Sequence, residues 1–277
     1  MHQRLATPSV PPVLERVAGQ GRIAVEARDG ITHLTELYQD GAAKIRLPSR
    51  AGKAGLEAVL INTAGGVTGG DRLAWTATLG PGASLTLTTP AAEKIYRAAS
   101  GEAQISVALA AGPGAKLFWL PQETILFDRA ALSRSLTLDL AADAEALIVE
   151  PIIFGREAMG ENLGRASLHD RWRIFRAGRL FHAEDFRLGP DAAQMLARPA
   201  LLAGSRAVAS ILFVAPHAGD RLDAVRAILG ETGGASAWNG RILARILAKS
   251  GFDLRQKLLP VLNLLNGKAA LPKLWSL

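Results

Sequence analysis

Apolar and polar residues alternate along most of the chain between about residues 21 and 188. Leu73, Trp75, Ala77 and Leu79 are separated by alanine and threonine, and the same period recurs at residues 85–88, 105–109 and 136–140. Successive side chains of a strand point to opposite faces of a sheet. The alternation therefore predicts strands with one buried face and one polar face.

A repeat of about 30 residues underlies this region. Residues 79–85 (Leu-Gly-Pro-Gly-Ala-Ser-Leu) resemble residues 111–117 (Ala-Gly-Pro-Gly-Ala-Lys-Leu), and residues 141–147 form a weaker third copy. Each copy reads as strand, tight turn and strand, followed by a proline at Pro90, Pro121 or Pro151. The period favours stacked β units that share one core. Three ordinary hairpins in a meander are the alternative.

The period changes after about residue 191, where helical spacing begins. One helix is predicted over residues 222–229, and the apolar run at residues 207–215 is short enough for a buried strand. Ile242, Leu243, Ile246 and Leu247 predict a second helix, capped by Asn239 and ended by Gly251. A third helix would start at Asp253 and end at Gly267, with Pro260 kinking or splitting it.

These patterns predict a mainly β fold of stacked, helically coiled strands, resembling a β-helix, with a few C-terminal α-helices. Residues 1–20 are proline-rich and predict a flexible arm, followed by a single domain over residues 21–277. Within that domain, residues 21–190 would be β-rich repeats, and residues 191–277 would be a strand plus helices.

The amino-acid composition limits where the protein can be located and which metal sites it can form. The 277 residues are 49% hydrophobic and include no cysteine, which excludes disulfides and thiolate metal sites. No run of about 18 apolar residues predicts a membrane span, and the N-terminus has no secretory pattern. A cytoplasmic location without membrane attachment is expected.

The net charge of +7 permits a nucleic-acid partner, but the positive residues are scattered along the chain, so no nucleic-acid partner is expected.

Residues 62–72, Asn-Thr-Ala-Gly-Gly-Val-Thr-Gly-Gly-Asp-Arg, form the most distinctive segment. The glycines lack the Lys-Ser/Thr of a P-loop and do not match the dinucleotide fingerprint. We interpret them as a tight structural connection and expect positive φ in at least one member of a set of four: Gly65, Gly66, Gly69 and Gly70.

Carboxylates follow each repeat unit. Glu93 follows Pro90, Glu123 and Asp128 follow Pro121, and Glu157 and Glu161 follow Pro151. If the units stack, these acids could gather along one edge as a glycosidase-like pair, as an oxygen-lined path for a divalent cation, or as solvated turns. The five histidines are far apart, no HExxH or nucleophile elbow occurs, and neither catalytic residues nor a stable metal site are predicted.

Several segments, in order, resemble the urease accessory protein UreD (UreH) family. They are residues 56–73, 85–97, 119–128, 150–161, 170–173 and the ending Leu-Pro-Lys-Leu-Trp-Ser-Leu at residues 271–277. The resemblance runs from about residue 38 to the C-terminus. No single motif is specific, but their number and order are.

The resemblance implies a non-enzymatic chaperone with a β-rich, helically coiled fold. It implies binding to apo-urease and to UreF, which in turn recruits UreG, with nickel passing transiently through an internal tunnel and no cofactor held permanently. The polar positions that it points to in this chain are Asp71, Glu93, Asp128, Glu157 and Glu161. One departure is Pro90, where many relatives have glutamine.

Two other functions remain open on the residues alone: a β-helical carbohydrate-active enzyme with paired carboxylates, and a basic nucleic-acid-binding module. Carbohydrate enzymes usually line their groove with aromatic residues, and this chain is only 5% aromatic. A further expectation concerns the apolar segment at residues 258–265. Leu258, Leu262 and Leu265 would either dock a helical partner or be buried in the protein's own core.

Overall fold

The computed structural model describes residues 15–48, 55–156, 159–161, 163–267 and 271–276. Two sheets pack face to face. The seven-stranded sheet A has the order β14-β13-β11-β8-β5-β1-β2. Its strands are β1 Ala18–Arg28, β2 Ile31–Gly41, β5 Arg72–Leu79, β8 Ala103–Ala111, β11 Ala131–Leu140, β13 Ser167–Arg176 and β14 Arg179–Leu188.

Sheet B has the order β16-β17-β15-β12-β9-β6-β4-β3, and two short strands extend it, with β10 beside β12 and β7 beside β10. Its strands are β3 Ala43–Arg46, β4 Leu56–Asn62, β6 Ser84–Thr88, β7 Glu93–Ile95, β9 Lys116–Leu120, β10 Thr124–Leu126, β12 Glu145–Phe154, β15 Ala207–Val214, β16 Gly233–Trp238 and β17 Arg241–Ala248. The α-helices are α1 Ala192–Ala197, α2 Leu222–Leu229 and α3 Gly251–Leu265.

The chain alternates between the two sheets, so the repeat forms stacked coils and not hairpins. β5, β8, β11 and β13 are parallel neighbours in sheet A, while β4, β6, β9 and β12 are parallel neighbours in sheet B. The repeated turns hydrogen-bond to one another, as in the contact from the Gly82 N–H to the Pro113 carbonyl at 2.8 Å. Stacking is therefore confirmed, and with it the mainly β, coiled fold with few helices.

Two apolar cores follow from this arrangement. The larger lies between the sheets and contains the inward residues of every coil, such as Leu85, Leu117 and Trp172. The smaller lies between the outer face of sheet B and the helices α2 and α3. No helix in the described part of the chain is both long and apolar enough to cross a membrane.

The predicted second helix is wrong, because residues 241–248 form the strand β17. Asn239 and Gly240 have φ values of 47° and 75° and form the turn between β16 and β17. Asn-Gly is a strong signal for a two-residue hairpin turn, and the alternation of Ile242, Ala244 and Ile246 has the period of a strand. Residues 191–277 therefore contain a β-hairpin in place of the second predicted helix.

The other boundaries differ in smaller ways. β15 and α2 lie where the sequence predicts a strand and a helix. Helix α3 is a single helix that continues through Pro260, and it is capped by Ser250, whose hydroxyl accepts a hydrogen bond from the Asp253 N–H at 3.1 Å. Strand β1 begins at Ala18, inside the predicted arm of residues 1–20, of which residues 1–14 lie outside the described residues.

Candidate functional site

A cavity of about 40 Å³, lined by both apolar and polar side chains, lies between the two sheets. By volume it has room for roughly two water molecules. Its apolar wall comes from strands of both sheets, including Leu60, Leu73, Val107 and Trp119. Its polar lining consists of side chains that all carry oxygen or nitrogen: Thr89, Glu93, Gln122, Thr124, Arg134 and Glu150.

Arg134 is the centre of the polar lining. It lies on β11 at an inward position between Leu132 and Leu136, and only 5% of the residue is exposed. Its Nε and Nη2 donate to the two carboxylate oxygens of Asp170 at 3.0 and 2.6 Å. Its Nη1 lies 2.5 Å from Glu150 Oε2. One permanent positive charge is thus shared by two buried carboxylates.

The register of the sheets places these groups together. Arg134 and Asp170 are paired residues of the parallel strands β11 and β13. Thr124 of β10 accepts a hydrogen bond from Arg134 Nη1 at 3.0 Å and is paired with Glu93 of β7. Glu93, Thr124 and Arg134 therefore connect neighbouring coils across the cavity.

Two of the lining carboxyl groups titrate near neutral pH. Burial raises the pKa of Glu150 to about 7, although Arg134 and the Trp119 indole N–H, which donates to Glu150 Oε1 at 2.8 Å, act in the opposite direction. Burial also raises the pKa of Glu93 to about 7, against the hydrogen bond from Asn62 Nδ2 at 3.0 Å. For Arg134, burial lowers the pKa, but Asp170 and Glu150 together raise it above its usual value.

The C-terminal helix holds one wall of the cavity in place. Arg255 of α3 contacts both carboxylate oxygens of Glu123 at 2.6 and 2.8 Å and donates to the Gln122 side-chain oxygen. Gln122 lines the cavity and donates from its Nε2 to the Leu274 carbonyl at 3.1 Å. The Trp275 indole N–H donates to the Leu120 carbonyl at 3.1 Å.

The glycine segment packs against the next coil beside Glu93. Gly65, Gly66 and Gly70 have φ values of 73°, 154° and 93°, so the predicted positive φ is confirmed. A Cβ on Gly66 would lie 2.7 Å from the Lys94 carbonyl oxygen, and one on Gly69 would lie 2.2 Å from the Ser100 carbonyl oxygen. The segment is a close-packed connection between coils.

Of the four singled-out carboxylates that lie within the described ranges, only Glu93 lines the cavity. Asp71 is buried and accepts from the backbone N–H groups of Val17 and Thr68 at 2.9 and 2.8 Å. Asp128 Oδ1 accepts from the N–H groups of Gly164 and Arg165, both at 2.9 Å.

Glu161 binds Arg156, with contacts of 2.9 and 3.0 Å. Glu157 lies outside the described residues. The structure therefore favours the alternative that Asp71, Asp128 and Glu161 hold turns and loops. No group of three or more His, Cys, Asp or Glu residues within the described ranges could hold a metal ion.

The three leucines considered for a partner interface are fully buried in the smaller core: Leu258, Leu262 and Leu265. They pack against sheet B and α2, so the alternative of burial within the protein's own core holds, and docking through these side chains has no support. The exposed apolar residue of α3 is Phe252, at 71% exposure.

Sequence reasoning missed Arg134, Glu150 and Asp170 as site residues. The alternation of inward and outward residues along the strands contains a signal for two of these residues. Arg134 stands in phase with Leu132 and Leu136, and Asp170 stands in phase with Leu168 and Trp172. A charged residue at an inward position of a strand is expected only where a partner is buried with it.

Comparisons with known proteins agree on one family. The sequence profile of the "UreD urease accessory protein" family matches residues 17–276. A urease accessory protein UreD of Mesorhizobium japonicum is 54% identical over 271 residues, which cover 96% of each chain. One from Agrobacterium fabrum is 49% identical over 95% of this chain and 92% of its own. One from Brucella suis is 49% identical over 95% and 96%.

Proposed function

Because the chain belongs to the UreD family of urease accessory proteins, we propose that it is a non-catalytic scaffold that helps to insert nickel into urease. Its partners would be the urease apoprotein and UreF, with UreG reached through UreF, in the cytoplasm. Nickel would be cargo, held transiently, and no permanent cofactor is proposed. Neither a nucleic acid nor a membrane is a proposed partner.

One observation carries the nickel part of the proposal: the cavity between the sheets contains two carboxyl groups, Glu93 and Glu150, whose pKa values are raised to about 7. A protonated carboxyl group can exchange its proton for a divalent cation near neutral pH. Both groups lie inside the stacked coils, with space for water between them. Glu93, which is partly buried beside the glycine segment, would receive the ion first.

Weak binding suits a route for cargo. Nickel prefers imidazole and thiolate ligands in tight sites, and the polar lining of this cavity offers only oxygen donors besides Arg134. Arg134 keeps its charge and lies 2.5 Å from Glu150, so it opposes prolonged occupancy by a second cation. The cavity would therefore admit the ion without trapping it.

A chemical step is not part of the proposal. A glycosidase acid pair must flank a sugar ring, whereas Glu150 and Asp170 are both bound to Arg134 and the adjoining cavity measures only about 40 Å³. The carbohydrate-enzyme alternative has no observation in its favour.

The test separates assembly from delivery. Glu93→Gln and Glu150→Gln keep the size of the side chain and an oxygen acceptor, and they mimic the protonated acids. Each variant is assembled with UreF, UreG and apo-urease, and the nickel content of the urease is measured. We expect normal assembly with reduced nickel for both variants, whereas the exposed Glu36→Gln should deliver normally. Full nickel content from both cavity variants would refute the route.

A further inference from the structure

Three arginines form a row on the loop edge of the stacked coils: Arg97, Arg129 and Arg165, called the arginine row below. The Ala98 N–H donates to the Arg129 carbonyl at 2.9 Å, and the Arg129 N–H donates to the Arg165 carbonyl at 2.5 Å. Arg97 also forms a β-bridge with Ala130. These backbone contacts place the three residues at neighbouring positions on successive coils.

The charges of the row are almost unneutralised within the described part of the chain. All three residues are exposed. The side chains of Arg97 and Arg165 make no hydrogen bond or ion pair with any described residue. Arg129 has one contact, 3.6 Å from its Nε to Asp128 Oδ2. By contrast, the guanidinium of the neighbouring Arg156 donates to both carboxylate oxygens of Glu161 and lies over the Phe127 ring, 4.4 Å from its centroid.

We expect the row to contribute nothing favourable to the stability of the isolated fold. Like charges at neighbouring positions of a ladder are destabilising. Arg129 also has a φ of 59°, in the left-handed region that disfavours residues with a side chain. Two unfavourable features at one exposed position indicate that the row is used outside the fold.

We propose that the arginine row docks an acidic segment of a partner protein. Guanidinium groups bind carboxylates in bidentate fashion, and Arg, Tyr and Met are enriched at protein interfaces. Tyr96, next to Arg97, is 38% exposed, and Met159, on the loop that contacts Asp128, is 74% exposed. The surface thus combines unneutralised cations with exposed apolar side chains. This inference concerns the outer loop edge and does not depend on the nickel route.

A nucleic acid fits the row less well than an acidic protein. The row spans only about 10 Å at the usual spacing between strands. An extended acidic segment can place individual carboxylates on individual arginines over this short distance.

The experiment measures the binding of a fluorescein-labelled peptide of about 12 alternating Glu and Ala residues to the full chain by anisotropy. The test variant is Arg97→Gln, Arg129→Gly, Arg165→Gln, in which glycine suits the left-handed φ at position 129. The control is Arg28→Gln, Arg179→Gln, Arg198→Gln, which removes the same charge from other exposed positions. We expect the test variant to bind about tenfold or more weakly and the control to bind nearly as the wild type does.

The proposal would be overturned by no binding of the peptide to the wild-type chain, by equal weakening in both variants, or by tighter binding of a dT12 oligonucleotide that is lost in the test variant. The melting temperatures of the test variant and the wild-type chain show whether a loss of binding is caused by a loss of stability. Because the row is unfavourable to the isolated fold, the test variant should melt at the same temperature as the wild type or higher. A lower melting temperature would assign the row a structural role and contradict the docking surface.

Discussion

Arg134 and Asp170 occupy paired positions of two parallel strands, and the guanidinium binds both oxygens of that carboxylate while it also reaches Glu150. This relationship places a charged network between two sheets whose inward residues are mostly apolar. Burying such a network opposes folding unless every member is paired. Its position beside the cavity gives it a role in the proposed route.

Removing Arg134 should be strongly destabilising. Arg134→Met leaves Asp170 and Glu150 buried without their cation, and we expect the free energy of unfolding to fall by about 3–5 kcal/mol. Urea denaturation measures it. The triple change Arg134→Met, Glu150→Gln, Asp170→Asn removes the charges together and should recover part of the loss. A triple variant as unstable as the single one would contradict the electrostatic account.

Stability should fall as pH rises because of Glu93. Its pKa in the folded protein is about 7, against an ordinary value of 4.5. The raised value means that the folded state holds the proton more tightly. Its contribution is complete below pH 4.5 and is lost as pH rises through about 7. Glu93→Gln should make the decrease in unfolding free energy between pH 5 and 8 smaller by the share of Glu93, leaving that of Glu150. The exposed Glu36→Gln should leave the profile as it is.

Two glycines of the same segment should respond differently to alanine. Gly66 has a φ of 154°, and a Cβ there would lie 2.3 Å from the Tyr96 ring. Gly65 has a φ of 73° with open space around its Cβ position. We expect Gly65→Ala to reduce the unfolding free energy by about 1 kcal/mol, and Gly66→Ala to reduce it clearly more. Equal effects in thermal or urea unfolding would show that the close approach at Gly66 is relaxed easily.

Helix α3 carries a buried residue, Leu258, and an exposed residue, Phe252, whose substitution should affect stability differently. Leu258 is fully buried, so Leu258→Ala should lower the unfolding free energy by about 2–5 kcal/mol. Phe252 is exposed on the first turn, so Phe252→Ser should change it by no more than about 0.5 kcal/mol. If UreF docks on this helix, Phe252→Ser weakens UreF binding in a pull-down or calorimetric titration. Undiminished binding to the folded Phe252→Ser variant would move the interface elsewhere.

The stacked coils could be predicted from the sequence because period-two alternation and a 30-residue repeat both report them. The hairpin of β16 and β17 was missed because Ile242, Leu243, Ile246 and Leu247 satisfy helical spacing as well as a strand does, and only the Asn239-Gly240 turn decides between them. Stacking places Glu93 at the cavity, whereas Asp71 and Asp128 accept hydrogen bonds from backbone N–H groups of loops. Which acid faces inward depends on register between distant strands, and a single sequence does not specify that register.

Passage of nickel through the cavity between the sheets can be tested by obstructing the cavity without removing any of its charges. Val107 lines the cavity, and Val107→Phe would fill it while leaving every carboxylate in place. Val208→Phe is the matched control, since Val208 is equally buried and does not line the cavity. The measurement is nickel per urease active site after maturation with equal amounts of assembled complex. We expect nickel-poor urease from Val107→Phe and normal loading from Val208→Phe. Normal loading from an assembled Val107→Phe complex would rule out passage of nickel through the cavity.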